Sequence, residues 1–119
     1  MLGVLVLGSW ARGEAAAASD IDVLIVIAPG TPLTRELYRA WDREPLVFEG
    51  RTIDAHFAHP STAGSAPTAV WCEAAVDGMV WYDFSGIIAT RLGEVRRAIA
   101  EGRVVRAFAH GQPYWKGAA

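Results

Sequence analysis

Short apolar runs separated by polar turns dominate the first part of the chain. Two of them, residues 4–7 and 21–27, have the length and composition of buried strands. Between them an Ala-rich segment, residues 9–17, predicts a helix, because alanine has the highest helix propensity. The second run is apolar beyond its first two residues, which predicts a central strand covered on both faces.

An amphipathic helix is predicted to follow the second strand. Thr31 and Pro32 form the expected N-cap and first helical residue, and the pattern continues to about Glu44. The apolar stripe of this helix consists of Leu33, Leu37, Tyr38 and Trp41.

A β-hairpin is predicted next. Residues 46–48 and 52–57 alternate around a turn at residues 49–51. Because strand side chains alternate, Asp54 and His56 share the face opposite Ile53 and Ala55. A lone histidine on such a face more often packs or supports a neighbour than binds a metal, so we assign His56 no direct role.

The last part of the chain predicts two helices with a strand between them. Residues 59–67 form a loop, and residues 68–77 form a helix closed by Gly78 in the C′ position. Residues 79–82 predict a final strand. Asp83 or Ser85 is predicted to cap a helix that ends near Glu101. The tail, residues 104–119, is expected to be extended. The resulting fold class is α/β (α+β): a small mixed β-sheet with helices packed on it, in one domain, residues 1–119.

Composition and charge narrow the functional classes. The net charge is −2 and the pI is near 5.9, which argues against a broad nucleic-acid-binding surface. The single cysteine, Cys72, excludes an intrachain disulfide and a Cys-rich zinc site, and we expect it to be a small buried hydrophobe.

No apolar run approaches the roughly 18 residues of a membrane span, and no signal peptide is visible. We therefore expect a cytoplasmic protein.

Two aspartates at the start of the second strand carry the first chemical hypothesis. Asp20 and Asp22 are spaced i, i+2 and so share one face, although aspartate is depleted in strands. Two close carboxylates repel each other unless a cation lies between them. Oxygen ligands of this kind favour Mg²⁺ or Mn²⁺ over zinc, so the pair predicts a divalent-metal site.

A phosphate site is predicted just upstream. Gly8 at the end of the first strand permits close approach of a ligand to the backbone. Ser9 stands where the next helix begins, and free N–H groups at a helix start attract anions. The Arg12 guanidinium suits phosphate oxygens. Metal-binding carboxylates beside a phosphate site suggest nucleoside-triphosphate chemistry.

These residues together resemble a known family motif. The run Gly8-Ser9-x-Ala11-Arg12-Gly13-x-Ala15-x-x-x-Ser19-Asp20-Ile21-Asp22 is similar to that of the DNA polymerase β-like nucleotidyltransferases, and in particular to the minimal nucleotidyltransferases. The resemblance implies a nucleotidyltransferase-like fold, a nucleoside triphosphate as substrate and Mg²⁺ or Mn²⁺ as cofactor. It also implies that Asp54 is a third metal-binding carboxylate, on a neighbouring strand, and acts as the general base. Nucleotide binding is implied for Gly8, Ser9, Arg12 and Ser19.

The resemblance further implies transfer of AMP from ATP to a hydroxyl acceptor. Proteins similar to this one are often paired with an all-helical HEPN-type protein as antitoxin and toxin, and a hydroxyl of that partner is then the expected acceptor. The family usually has a helix before the first strand, so an uncovered face here favours a protein partner or a homo-oligomer. Two alternatives remain open: an aminoglycoside-type small-molecule nucleotidyltransferase, and an antitoxin that acts by binding its partner without catalysis.

Overall fold

The computed structural model describes residues 1–7, 20–44, 47–48, 50–61 and 67–117. Within these ranges, five strands form one sheet in the order β3-β4-β2-β1-β5, and two further strands form a separate hairpin. The strands of the sheet are β1 (Gly3–Val6), β2 (Ile21–Val26), β3 (Val47–Phe48), β4 (Arg51–Ala58) and β5 (Met79–Asp83). The helices are α1 (Arg35–Arg43), α2 (Ala69–Asp77) and α3 (Ile87–Ala100), and the hairpin strands are β6 (Val104–Ala109) and β7 (Gln112–Gly117). This mixed α+β architecture confirms the predicted fold class.

Strand β2 lies at the centre of the sheet, as predicted. It pairs in parallel with β4 and antiparallel with β1, while β5 and β3 complete the two edges antiparallel to their neighbours. The sheet is curled, since Phe48 of β3 and Trp81 of β5 come from opposite edges yet have ring centroids 5.7 Å apart. The predicted hairpin is present: Phe48 of β3 pairs with Arg51 of β4, and Gly50 in the turn has a φ of +76°. Two residues of the prediction, Leu46 and Glu49, lie outside the described residues.

Alternate residues of β2 enter two separate cores. Leu24 and Val26 belong to the core that contains α2 and α3, whereas Val23 and Ile25 belong to the core beneath α1. Trp41 of α1 joins the second core, and its indole Nε1 donates a hydrogen bond to the Ile53 carbonyl at 3.0 Å. The central strand is thus covered on both faces, which explains its nearly continuous apolar sequence.

Helix α1 begins later than the sequence indicates. The expected N-cap was Thr31, but the observed helix starts at Arg35 after the N-cap residue Thr34. The Thr31 backbone is used in a turn instead: its N–H donates to the Ala28 carbonyl at 2.9 Å, and its carbonyl accepts from Nε2 of His59 at 2.6 Å. Leu33 consequently lies outside the helix and is exposed, so only the later part of the predicted stripe packs on the sheet.

Helix α2 matches its predicted range, but Gly78 ends it for a different reason. The φ of Gly78 is −67°, which is not the left-handed conformation of a C′ glycine. A Cβ at this position would lie 2.4 Å from the carbonyl oxygen of Ala74, so the absence of a side chain permits a close backbone contact. Cys72 is fully buried in this helix, as expected. Burial, with a smaller contribution from the Glu73 carboxylate, raises the pKa of the Cys72 thiol.

Asp83 is the cap of helix α3. Its carboxylate accepts hydrogen bonds from the backbone N–H groups of Ile88 at 2.8 Å and Ala89 at 2.9 Å. A single 3₁₀ turn, Phe84–Gly86, lies between this aspartate and the helix, with Ser85 at φ +56°. Of the two predicted caps, the structure therefore selects Asp83.

The chain has a hairpin where the sequence analysis expected an extended tail after a final strand at residues 79–82. Strands β6 and β7 pair throughout, and His110 and Gly111 at the turn both have positive φ. That backbone is typical of a type I′ turn, whose glycine is the sequence feature that predicts a hairpin here. The hairpin contacts α2 through a hydrogen bond: Nε1 of Trp115 in β7 donates to Oε1 of Glu73 in α2 at 2.8 Å.

Of the helices described, none has both the length and the apolar character needed to cross a membrane.

Candidate functional site

The two aspartates predicted on different strands are direct neighbours in the sheet. Asp22 of β2 and Asp54 of β4 are paired in the parallel register, so their side chains project from the same face. The residues around them, among them Ile21, Val23 and Ile53, are buried in the core beneath α1. Backbone pairing therefore fixes where the two carboxylates lie.

The carboxylates remain open to solvent although β2 is the central strand. The side chain of Asp22 is 47% exposed and that of Asp54 is 57% exposed. Further along the same face Leu24 is fully buried under the helices. The acidic pair thus lies at the end of the sheet that α2 and α3 leave uncovered, where a charged ligand has access.

A histidine completes the cluster. Nε2 of His56 lies 3.5 Å from Oδ1 of Asp22 and 3.9 Å from Oδ2 of Asp54. One potential ligand atom from each of the three residues lies within 4.8 Å of the other two. Strand alternation placed His56 on the correct face, but His56 was given no direct role. Its i, i+2 spacing from Asp54 was the sequence feature that could have indicated its place in the site.

Asp20 is not part of this cluster. It is the residue immediately before β2 and is exposed. The i, i+2 argument requires both residues to be in a regular strand, and the strand begins only at Ile21. The structure therefore brings together Asp22 and Asp54 of the three predicted carboxylates.

The predicted phosphate-binding residues Gly8, Ser9, Arg12 and Ser19 lie outside the described residues, as does the predicted helix over residues 9–17. Leu7, the last described residue before Gly8, lies beside the cluster. The backbone N–H of Leu7 donates to the carbonyl of Asp22 at 2.8 Å.

The donor set of the cluster suits a divalent cation. Carboxylate oxygens and imidazole nitrogens are both established ligands of such ions. Bond lengths of about 2.0–2.2 Å place neighbouring ligand atoms of one ion roughly 3–3.5 Å apart. The separations of 3.5 and 3.9 Å from His56 Nε2 to the two carboxylate oxygens come close to this range, and all three ligand atoms lie within 4.8 Å of one another, which supports a shared ion.

The chain is similar to a known protein family in sequence and to a solved structure in fold. The family model described as a nucleotidyltransferase domain matches residues 2–69, a range that includes β1, β2, α1 and β4 and all three residues of the cluster. Among solved structures, the chain is similar to one described as the crystal structure of the toxin-antitoxin with AMP-PNP. That likeness has 16% sequence identity and a TM-score of 0.44, and it covers 84% of this chain and 78% of the other. No curated protein matches the sequence.

The family match covers more than half of the 119 residues, including the paired strands and their carboxylates. The chain belongs to the nucleotidyltransferase domain family.

Proposed function

We propose that this nucleotidyltransferase transfers AMP from ATP to a hydroxyl acceptor in a reaction that depends on a divalent metal ion. The observation that carries the proposal is the register pairing of Asp22 with Asp54, which holds two exposed carboxylates together at the end of the sheet that α2 and α3 leave uncovered. Asp20, from the motif that includes Asp22, is proposed as a further metal ligand.

The reaction is a substitution at the α-phosphorus of the triphosphate. The acceptor oxygen forms a bond to this phosphorus, the bond to the bridging oxygen of the β-phosphate breaks, and pyrophosphate leaves. Divalent ions held by Asp22 and Asp54 would neutralise the triphosphate charge and orient the reacting oxygens. Asp54 is proposed to accept the proton of the acceptor hydroxyl, a role supported by its exposed position on β4.

The nucleotide is proposed to be held on the side of the cluster where β1 ends. The contact between Leu7 and Asp22 supports this, because Leu7 directly precedes Gly8 and Ser9. Arg12 and Ser19 are proposed to complete the contacts with the triphosphate.

The acceptor is proposed to be a hydroxyl side chain on a protein partner of the HEPN type, as in a toxin-antitoxin pair. This proposal rests on the similarity of the residue 8–22 motif to the minimal nucleotidyltransferases. A second copy of the chain is the alternative protein partner.

The test is incubation with α-labelled ATP, CTP, GTP or UTP and a divalent ion, in the presence of cell lysate. We expect label on one protein band with ATP, dependent on the metal and lost in Asp22→Asn. The matched control is Asp42→Asn, which changes an exposed aspartate of α1 and should retain activity.

Other outcomes would favour the alternative functions. Label on an added aminoglycoside rather than on protein would indicate the small-molecule enzyme. Inhibition of a toxin partner that survives chelation, without any labelled product, would indicate an antitoxin that acts by binding alone.

A further inference from the structure

We propose that Nε2 of His56 is a direct metal ligand, and that it makes the site prefer a transition-metal ion such as Mn²⁺ over Mg²⁺. The inference rests on the proposed function, because it concerns the same metal site. It goes beyond the carboxylate ligands that the motif implies.

His56 lies beside the two aspartates on the same face of the sheet. Asp54 and His56 are two residues apart on β4, and Asp22 and Leu24 are their register partners on β2. The histidine therefore occupies the row next to the two aspartates on the same face. Its ring reaches back along the strands, so that the outer nitrogen, Nε2, approaches both carboxylates.

The distances from His56 Nε2 to the two carboxylates are longer than those of hydrogen bonds. N–H···O hydrogen bonds usually span about 2.7–3.2 Å, so the separations of 3.5 and 3.9 Å exceed that range for both carboxylates. A histidine that served only to bind one aspartate would approach that aspartate more closely. Nε2 instead lies at similar distances from two carboxylate oxygens, as expected of three ligand atoms arranged around a shared ion.

The His56 side chain is 50% exposed, so its position is not explained by burial in a core. The other two histidines have different surroundings. His59 Nε2 is used in its contact with the Thr31 carbonyl, and His110 lies at the hairpin turn.

The ligand chemistry determines the metal preference. Mg²⁺ binds oxygen ligands and retains several waters, and it gains little from an imidazole. Mn²⁺ accepts carboxylates, and affinity for nitrogen ligands rises along the first-row transition metals. One nitrogen beside two carboxylates should therefore raise the affinity for Mn²⁺ and Co²⁺ more than for Mg²⁺.

The decisive experiment is pulsed electron paramagnetic resonance of bound Mn²⁺. The intact protein, labelled with ¹⁵N at histidine only, is used in excess over Mn²⁺ so that the tightest site fills first. We expect a ¹⁵N coupling of a directly bound imidazole, present in the wild type and in His110→Asn but absent in His56→Gln. Asparagine suits the control because residue 110 has positive φ.

Calorimetric titration gives a second measurement. His56→Gln should weaken Mn²⁺ binding by at least about tenfold, since losing even a residue that only supports a ligand costs roughly 10–100-fold in affinity. Mg²⁺ binding should weaken less. Equal losses for the two ions would overturn the proposed preference.

The remaining outcomes separate this inference from the proposed function. Mn²⁺ binding that is lost in Asp22→Asn but shows no histidine coupling in the wild type would overturn ligation by His56 and leave the carboxylate site intact. A histidine coupling that persists in His56→Gln would also overturn it. Failure of the wild type to bind Mn²⁺, with transfer that still depends on Mg²⁺, would overturn the inference and leave the proposed function intact.

Discussion

Asp22 and Asp54 occupy strand positions whose sequence neighbours are buried apolar residues. Ile21, Val23, Ile53 and Ala55 hold the two strands in the core beneath α1 and leave the carboxylates on the opposite face. The fold therefore does not need the acidic side chains, whereas the proposed chemistry does. Substitution at these two positions should separate activity from stability.

We expect Asp22→Asn and Asp54→Asn to reduce transfer by at least about 100-fold, since the loss of a metal ligand should exceed the effect of losing a supporting residue. Stability should change by no more than about 0.5 kcal/mol, as is usual for exposed positions. Asp20→Asn should also abolish transfer, because Asp20 is proposed as a further metal ligand. Labelled-nucleotide transfer and urea unfolding are the measurements, with Asp42→Asn as control. Near-normal turnover in either cluster variant would contradict the metal-site assignment.

Cys72 gives a prediction for the pH dependence of stability. Because burial, assisted by Glu73, raises the pKa of the folded thiol above its ordinary value of 9.0, the folded state favours the protonated form. The stabilisation is complete below the pKa of the unfolded thiol and is lost as the pH rises through the raised pKa of the folded state. Urea unfolding at neutral and alkaline pH should therefore show a steeper loss of stability for wild type than for Cys72→Ala. Equal slopes would contradict this.

The residues of the site were only partly predictable from sequence. Strand alternation and the motif were sufficient to select Asp22 and Asp54 as site residues. That the two are neighbours follows from the parallel register of β2 and β4, which a single sequence does not reveal. The exclusion of Asp20 from the cluster depends on where β2 begins. His56 was missed because a single histidine on a strand carries little information until its neighbours in space are known.

At the scale of single elements, Gly78 determines how α2 is joined to β5. The close approach of its Cα to the Ala74 carbonyl lets the chain turn from the helix directly into the edge strand. A side chain at this position would have to displace backbone rather than a flexible side chain.

We expect Gly78→Ala to destabilise the protein by about 1–3 kcal/mol, the usual cost of overpacking. The matched control is Gly93→Ala, within α3, where an added Cβ would meet nothing within 4 Å. That control should be neutral or stabilising by up to about 1 kcal/mol, because alanine is the better helix former. Denaturant unfolding measures both changes. A neutral Gly78→Ala would show that the backbone contact is not a constraint.

Elements were predicted well where periodicity was strong and less well at their ends. The central strands and helices α2 and α3 follow directly from runs of apolar residues. The predicted start of α1 was wrong because Thr31, which together with Pro32 suits a helix start, closes a turn instead and contacts His59. The β6–β7 hairpin was missed because its side chains are mostly exposed and show little apolar alternation.

At the scale of the whole molecule, the hairpin is held to the α2 side of the protein by polar contacts and by the partly buried Trp115, which packs against the core that contains α2 and α3. Glu73 accepts the hydrogen bond from Trp115, and Nη2 of Arg106 lies 3.8 Å from the same carboxylate oxygen. The Arg106 guanidinium also lies 5.9 Å from the centre of the Trp115 ring. Only Val104, at the start of the hairpin, is buried in the main core.

We therefore expect Glu73→Ala to increase the opening of the hairpin more than that of the five-stranded sheet. Amide hydrogen exchange of β6 and β7 should accelerate, whereas exchange of β1 and β2 should change little. Glu101→Ala is the control, because it removes an exposed glutamate whose carboxylate pairs with Arg103 and not with the hairpin strands. Uniform acceleration throughout the chain would show that the hairpin and the sheet open as one unit.

The parallel pairing of β2 and β4 also has a consequence for the order of folding. The two strands are far apart in sequence and are separated by α1 and β3, so their pairing is a non-local contact that forms slowly in comparison with a hairpin. The ligand atoms of Asp22 and Asp54 come together only when that pairing exists. Affinity for the metal should consequently return late during refolding, and a bound ion would selectively stabilise molecules whose sheet is complete.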